Sequence, residues 1–250
     1  MEQTSINQHN QEIYYNLEIW RSKPLLSKIY HHFYKLISHE IDPSLQGEIV
    51  ELGSGIGNLK STINDCITTD IFPNPWIDQT ENAYALSFKD HSVSHLILFD
   101  VFHHLEYPGE ALREFQRVLF PNGRVIIFDP YISLFSYFIY EFFHHEPVKY
   151  FSPVKWFAND PSEIEIDKYY AAQGNASRIF CKRKYINLLK DWNIVKKRRI
   201  NALYYIASGG YSKKQFYPEA CFSFLLKLDD TLSFMKRFIG TRTLIILQKR

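Results

Sequence analysis

Between Glu48 and Asn58 an apolar, β-branched run turns directly into three glycines at alternate positions, Gly53, Gly55 and Gly57, with a carboxylate at Glu51 just ahead of them. Glycine tolerates positive φ and lets a ligand lie against bare peptide, so the stretch reads as strand, tight loop and helix start. In open α/β sheets that loop, at the carboxyl end of a first parallel strand, is where ligands bind; a glycine turn with no ligand is the alternative. A dinucleotide fingerprint would need its third glycine at position 58, which is Asn58. Downstream, Cys66–Asp70 reads as a second strand ending in an acid. Asp70 either accepts both hydroxyls of a ribose or caps the turn into Phe72-Pro73-Asn74-Pro75. His103 and His104 follow the apolar run Ser94–Asp100. An imidazole near its ordinary pKa can take a proton there, or simply bond the backbone of the turn. His144, His145 and Glu146 form another cluster, but neighbouring helical residues point to different sides and chelate poorly, so no metal site is expected. The candidate catalytic residues are therefore His104, then His103, with His144 as a possible lining of an acceptor pocket.

The order Glu51-Leu52-Gly53-Ser54-Gly55-Ile56-Gly57 resembles the first motif of the class I S-adenosylmethionine-dependent methyltransferases. The match is physically sensible: S-adenosylmethionine carries an ammonium and a sulfonium and no phosphate, so a carboxylate at Glu51 attracts it. Two further passages are similar to the methyltransferase group that includes ubiquinone and menaquinone biosynthesis enzymes. Asn82-Ala83-Tyr84-Ala85-Leu86-Ser87-Phe88 looks like its Asp-Ala-x-x-Leu-Pro-Phe segment, with Asn82 in place of the acid that receives the adenine amino group. The amide oxygen of Asn82 can still accept that hydrogen bond, without charge assistance. Val101-Phe102-His103-His104-Leu105 resembles the hydrophobic-His-His-Leu turn after the fourth strand, and Arg117–Gly123 the Arg-x-Leu-x-Pro-Gly-Gly passage before the fifth. The resemblance implies S-adenosylmethionine as cofactor and S-adenosylhomocysteine as product. It implies a cofactor contact set of Glu51, Gly53, Ser54, Gly55, Gly57, Asp70, Ile71, Asn82, Ala83 and Asp100. The implied reaction is in-line transfer of a methyl group to a small-molecule or lipid-linked acceptor, with a base needed only for a weak nucleophile such as a hydroxyl. A non-catalytic module that keeps the nucleoside pocket is the alternative. Base modification of nucleic acids is disfavoured, because Phe99-Asp100-Val101-Phe102 lacks the Asn/Asp-Pro-Pro-aromatic motif.

The resemblance implies a Rossmann-like α/β fold: a seven-stranded, mostly parallel sheet with an antiparallel last strand and helices on both faces. Residues 1–46 read as a helical cap broken near Pro24, in which Trp20, Arg21 and Tyr30 cover either the cofactor or the sheet. Residues 47–130 form the cofactor half. A short helix is expected over Asn58–Asn64, and the prolines after Asp70 argue for an extended crossing in place of a helix. Residues 131–190 open on the aromatic run Tyr131–Phe143 and read either as an acceptor-site insertion or as a core helix with a surface loop. Residues 191–250 read as strand, helix (Pro218–Phe238) and strand, with Lys196–Arg199 on a solvated edge strand.

Composition narrows the class further. At 250 residues the chain suits one α/β domain with embellishments, and a formal charge of +2 gives no reason to expect a nucleic-acid partner. Three scattered cysteines suit a reducing cytosol, and the polar first residues lack the order of a signal peptide. A cytoplasmic protein is expected, with no transmembrane segment but with peripheral membrane contact open, because the apolar run Tyr131–Phe143 is too short to span.

Overall fold

The structure, a computed structural model, describes residues 6–143, 150–160, 163–164 and 174–250. Two helices come first, α1 (Ile6–Ser22) and α2 (Pro24–Ser38), and the break falls where the sequence placed it. Proline is tolerated in the first turn of α2 because its missing N–H would have no intrahelical partner there. The α2 residues Leu25, Leu26, Ile29, Phe33 and Ile37 recur at helical spacing and are fully buried against the sheet.

The sheet comprises β1 (Glu48–Leu52), β2 (Cys66–Asp70), β3 (Gln79–Thr80), β4 (Val93–Phe99), β5 (Leu119–Pro130), β6 (Trp192–Ile200) and β7 (Arg242–Lys249). Their order is β3-β2-β1-β4-β5-β7-β6, parallel from β3 through β5 and antiparallel where β7 meets its two neighbours. The chain leaves β1 to one side for β2 and returns to its other side for β4, so the switch point lies at the carboxyl ends of β1 and β4. That is where the glycine loop and Asp100 emerge.

Alternation along the central strands sends side chains to two cores, as a pleated strand must. Leu96, Leu98, Val125 and Ile127 face α3 (Pro108–Val118) and α5 (Asn175–Cys181), while Ile97, Ile126 and Phe128 face α2 and α6 (Leu203–Ala207). The remaining helices are α4 (Leu134–Phe143), α7 (Phe222–Thr231) and α8 (Lys236–Ile239).

Two local expectations change. The helix expected over Asn58–Asn64 is a single 3-10 turn, Asn58–Ser61, entered from a left-handed Gly57. The helix expected over Pro218–Phe238 is interrupted by a 3-10 turn at Leu232–Met235 that separates α7 from α8. The crossing after Asp70 is extended, as its prolines demand, and pairs only two residues as β3. The edge-strand reading of Lys196–Arg199 holds, because β6 ends the sheet with those residues turned largely to solvent. Among the described residues no helix is long and apolar enough to cross a membrane.

Candidate active site

The cofactor side of the crevice is built by the turn after β1. Gly53 has φ +69°, and a Cβ there would collide with the Val101 side chain. Gly55 has φ +54° with nothing within 4 Å of its would-be Cβ, so bare backbone faces open space. The loop is braced against β2: Ser54 N–H donates to Thr69 O at 2.7 Å, and Gly55 N–H donates to Asp70 Oδ2 at 2.9 Å. Asp70 Oδ1 accepts the N–H of Ile71 at 2.7 Å, so part of the acid is committed to holding the loop. The turn-capping role and the ligand role left open for Asp70 are therefore compatible, since each carboxylate oxygen has a second lone pair.

Glu51 lies behind the glycines, only 3% exposed. Burial, aided by the charge of Asp70 and opposed by a hydrogen bond from Ser54, pushes its carboxyl up to about 7. Its Oε2 is buried without a hydrogen-bond partner. A buried carboxylate oxygen left unsatisfied is costly unless a cation or donor arrives, so the site fits the ammonium of an amino-acid tail.

Helix α1 lies over this side. His9 Nε2 is 3.4 Å from Asp70 Oδ1 and its ring meets Phe72 edge-on at 5.1 Å. Asn10 donates to Pro73 O at 3.3 Å, and Tyr14 packs edge-on to Trp76 at 5.0 Å. His9 therefore occupies the space in front of Asp70 Oδ1. The other predicted contacts are less convergent. Asn82 Oδ1 already accepts the N–H of Tyr84 at 3.0 Å, Ala83 packs against the core, and the Ile71 side chain is partly exposed. The neighbouring Glu81, missed in the sequence, is buried and accepts from Ser87 and Gln79.

Across the switch point, Asp100 has φ +57° and its carboxylate pairs with Arg242, the first residue of β7. Burial pushes the Asp100 carboxyl up, against the pull of Arg242. The Asp100, His103 and Asp129 ligand atoms lie within 4.8 Å of one another, a spacing that a cation could bridge. Arg242 already supplies a positive charge there, buried and ion-paired, so a second cation would be repelled. Tyrosines converge on the same point. Tyr30 and Tyr34 meet Phe99 at 5.3 and 5.6 Å, Tyr30 also meets Tyr205 at 6.1 Å and Tyr211 at 5.5 Å, and Arg242 sits 4.6 Å from the Tyr205 ring. Burial, with the charges of Glu51 and Asp100 among lesser causes, drives the Tyr34 hydroxyl well above its ordinary pKa, so it remains a neutral donor. Tyr211 also lines an open cleft of about 470 Å³ between the end of α1 and residues 211–215, with Tyr15, Ile19 and Lys23.

The two adjacent histidines are not equivalent. His103 is buried, with Nδ1 3.0 Å from Asp129 Oδ1; His104 is half-buried, its ring centroid 3.9 Å from that of His103. His144 lies outside the described residues. Asp129 and Arg242 escaped the sequence reading, although a charged residue at the end of one apolar strand and the start of another was the available signal.

Residues 50–127, which carry the glycine loop, Asp70 and both histidines, match the profile of the methyltransferase domain. Residues 50–127 thus carry a methyltransferase domain of the S-adenosylmethionine-dependent kind. Its activity is S-adenosylmethionine-dependent methyl transfer, and S-adenosylmethionine is its cofactor. Among solved structures, its fold is similar to geranyl diphosphate C-methyltransferase from Streptomyces coelicolor A3(2), with TM-score 0.52 and 9% identity over 90% of this chain and 80% of that one. A geranyl diphosphate methyltransferase solved with S-adenosylmethionine gives TM-score 0.51 and 10% identity over 88% and 85% of the two chains. The putative methyltransferase bound to the Haloferax volcanii Trm112 activator gives TM-score 0.49 and 15% identity over 94% and 96%. A search of curated proteins finds no match.

Proposed function

We propose that this methyltransferase acts on a small, largely apolar or lipid-linked acceptor, which it receives in the tyrosine cluster at the end of β4. The observation that carries this reading is the position of that cluster. Tyr30 and Tyr34 both meet Phe99, the residue before Asp100, and Tyr30 also meets Tyr205 and Tyr211, so the rings gather where β4 delivers Asp100 to the crevice. Aromatic faces offer apolar contact and favour a nearby cation, while neutral phenols orient an acceptor by hydrogen bonds.

S-adenosylmethionine supplies an electrophilic methyl group on a sulfonium. The protein's own part is binding, alignment and exclusion of water. Glu51 would hold the ammonium, the Gly53–Gly57 backbone would admit the tail, and Asp70 would accept from the ribose. Arg242, neutralised by Asp100, keeps the floor of the acceptor side polar but uncharged overall. For a hydroxyl acceptor, His103 is a better placed base than His104, because Asp129 orients its imidazole. Burial drives Asp129 up to about 8, so the His103–Asp129 pair holds an extra proton below that pH and becomes basic above it. Turnover of a hydroxyl acceptor should then rise through about pH 8, and His103→Gln should flatten that rise while leaving cofactor affinity unchanged.

The decisive experiment presents the protein and methyl-labelled S-adenosylmethionine to fractionated polar and lipid extracts. Label should pass into an apolar or lipid-linked product. Label appearing only in polar metabolites would reject the acceptor class, and bound cofactor with no transfer to any fraction would favour the non-catalytic alternative.

A further inference from the structure

The face formed by α4, α7 and α8 is apolar and basic, although it belongs to neither core. Along α7 and α8, Phe224, Leu228, Phe234 and Phe238 are 42–78% exposed. Phe224 and Leu228 are one turn apart on α7, while Phe234 lies in the 3-10 turn before α8 and Phe238 on α8; Phe222 and Asp229 are the buried residues through which α7 faces the protein. Lys227 on α7 and Lys236 and Arg237 on α8 are exposed along the same segment, as is the acid Asp230, next to the buried Asp229.

Helix α4 packs against α8 and presents exposed aromatics of its own. Its Phe138 and Phe142 are exposed and stacked on each other, with centroids 6.3 Å apart and ring planes 5° from parallel. Glu141 flanks them. The inner side of α4 points at the acceptor region, where Tyr140 donates to Thr241 O at 3.1 Å and is buried beside Arg242, Asp100 and Asp129. One helix thus separates the outer apolar face from the acceptor cluster.

We infer that α4, α7 and α8 form a docking surface for an anionic lipid bilayer. Phenylalanines that project from helix faces, interleaved with long cationic side chains, match an interface where rings enter the acyl boundary and lysine or arginine reaches the phosphates. The charge favours an anionic surface, because the exposed cations Lys227, Lys236 and Arg237 outnumber the exposed acids Asp230 and Glu141 on these helices. The inference deepens the proposed function, since it brings a lipid-linked acceptor within one helix of the tyrosines, and it rests on that reading only for its purpose.

Co-sedimentation of the full chain with vesicles tests it without turnover. The protein should pellet with vesicles containing phosphatidylglycerol, bind pure phosphatidylcholine roughly a hundredfold more weakly, and be released by salt. Phe224→Ser/Phe234→Ser/Phe238→Ser and, separately, Lys227→Gln/Lys236→Gln/Arg237→Gln should each lower binding at least tenfold, roughly, with melting temperature and cofactor affinity unchanged. The inference is overturned if the wild type stays in the supernatant with both vesicles, or if both variants pellet as it does. It is equally overturned if the face proves to be a protein interface, with wild-type dimers that the phenylalanine variant dissociates and no vesicle binding. Vesicle binding by a protein that fails to bind S-adenosylmethionine would support the surface while removing the methyl-transfer reading.

Discussion

The two sides of the crevice are built differently. The cofactor side is local: Glu51, Gly53, Gly55 and Asp70 come from two adjacent strands, joined by hydrogen bonds between the glycine loop and the end of β2. The side proposed to receive the acceptor is assembled from across the chain, with Tyr30 from α2, Asp100 after β4, Asp129 in β5, Tyr205 in α6 and Arg242 in β7. Peptide geometry suffices to receive a ligand common to many enzymes, whereas an acceptor of one kind needs side chains whose arrangement depends on the whole sheet. The first is a short motif; the second is a tertiary property.

The sharpest way to break this contrast is to disturb the long-range side alone. Arg242→Leu should cost about 3–5 kcal/mol, because it removes the buried cation that faces the buried Asp129 and the partly exposed Asp100. Asp100→Asn/Arg242→Leu should recover most of that loss in denaturant unfolding. A single variant as stable as the wild type would mean that the acceptor side is not held together by this pair.

The cofactor side should respond in the opposite sense. The Glu51 carboxyl is raised from 4.5 to about 7, so the folded state binds its proton more tightly than the unfolded state does. Its burial therefore costs nothing below about 4.5 and becomes fully unfavourable above about 7, by about 3 kcal/mol. Glu51→Gln should stabilise the protein by up to that amount at pH 8 and by little at pH 4, while weakening S-adenosylmethionine binding at least tenfold, roughly. In the wild type, affinity should fall as pH drops below about 7, and the Gln variant should lose that dependence. Calorimetry and thermal melts across pH decide both points.

Asp70→Asn is expected to lower cofactor affinity by roughly ten- to a hundredfold, through the loss of charge-assisted acceptance. Unchanged affinity would reduce Asp70 to a brace for Gly55. The smallest effect concerns α1: His9→Ala frees the Asp70 oxygen that His9 now approaches and should raise cofactor affinity a few-fold. Weaker binding in that variant would make His9 part of the cofactor site instead of an obstacle to it.

Much of the cofactor side was legible because its signals are local and chemically narrow. Only glycine fits φ +69° beside Val101, and an acid ending an apolar strand stands out. Asn82 was legible as a substitution, but its occupation by Tyr84 depends on a turn that spacing does not reveal. Of the histidines, the sequence ranked His104 ahead of His103, and it could not show that Asp129 reaches His103 from a separate strand.

Alternation and glycine spacing in the amino-acid order were enough to specify strands, crossings and the ligand loop, since those follow from backbone sterics and a two-residue pleat. Burial of Arg242 against Asp100, the convergence of tyrosines from three helices and residue 211, and the outward phenylalanines of α4 and α7 all required the folded chain. Each depends on which distant segments the sheet brings together, and that proximity is set by packing, which no neighbour in sequence encodes.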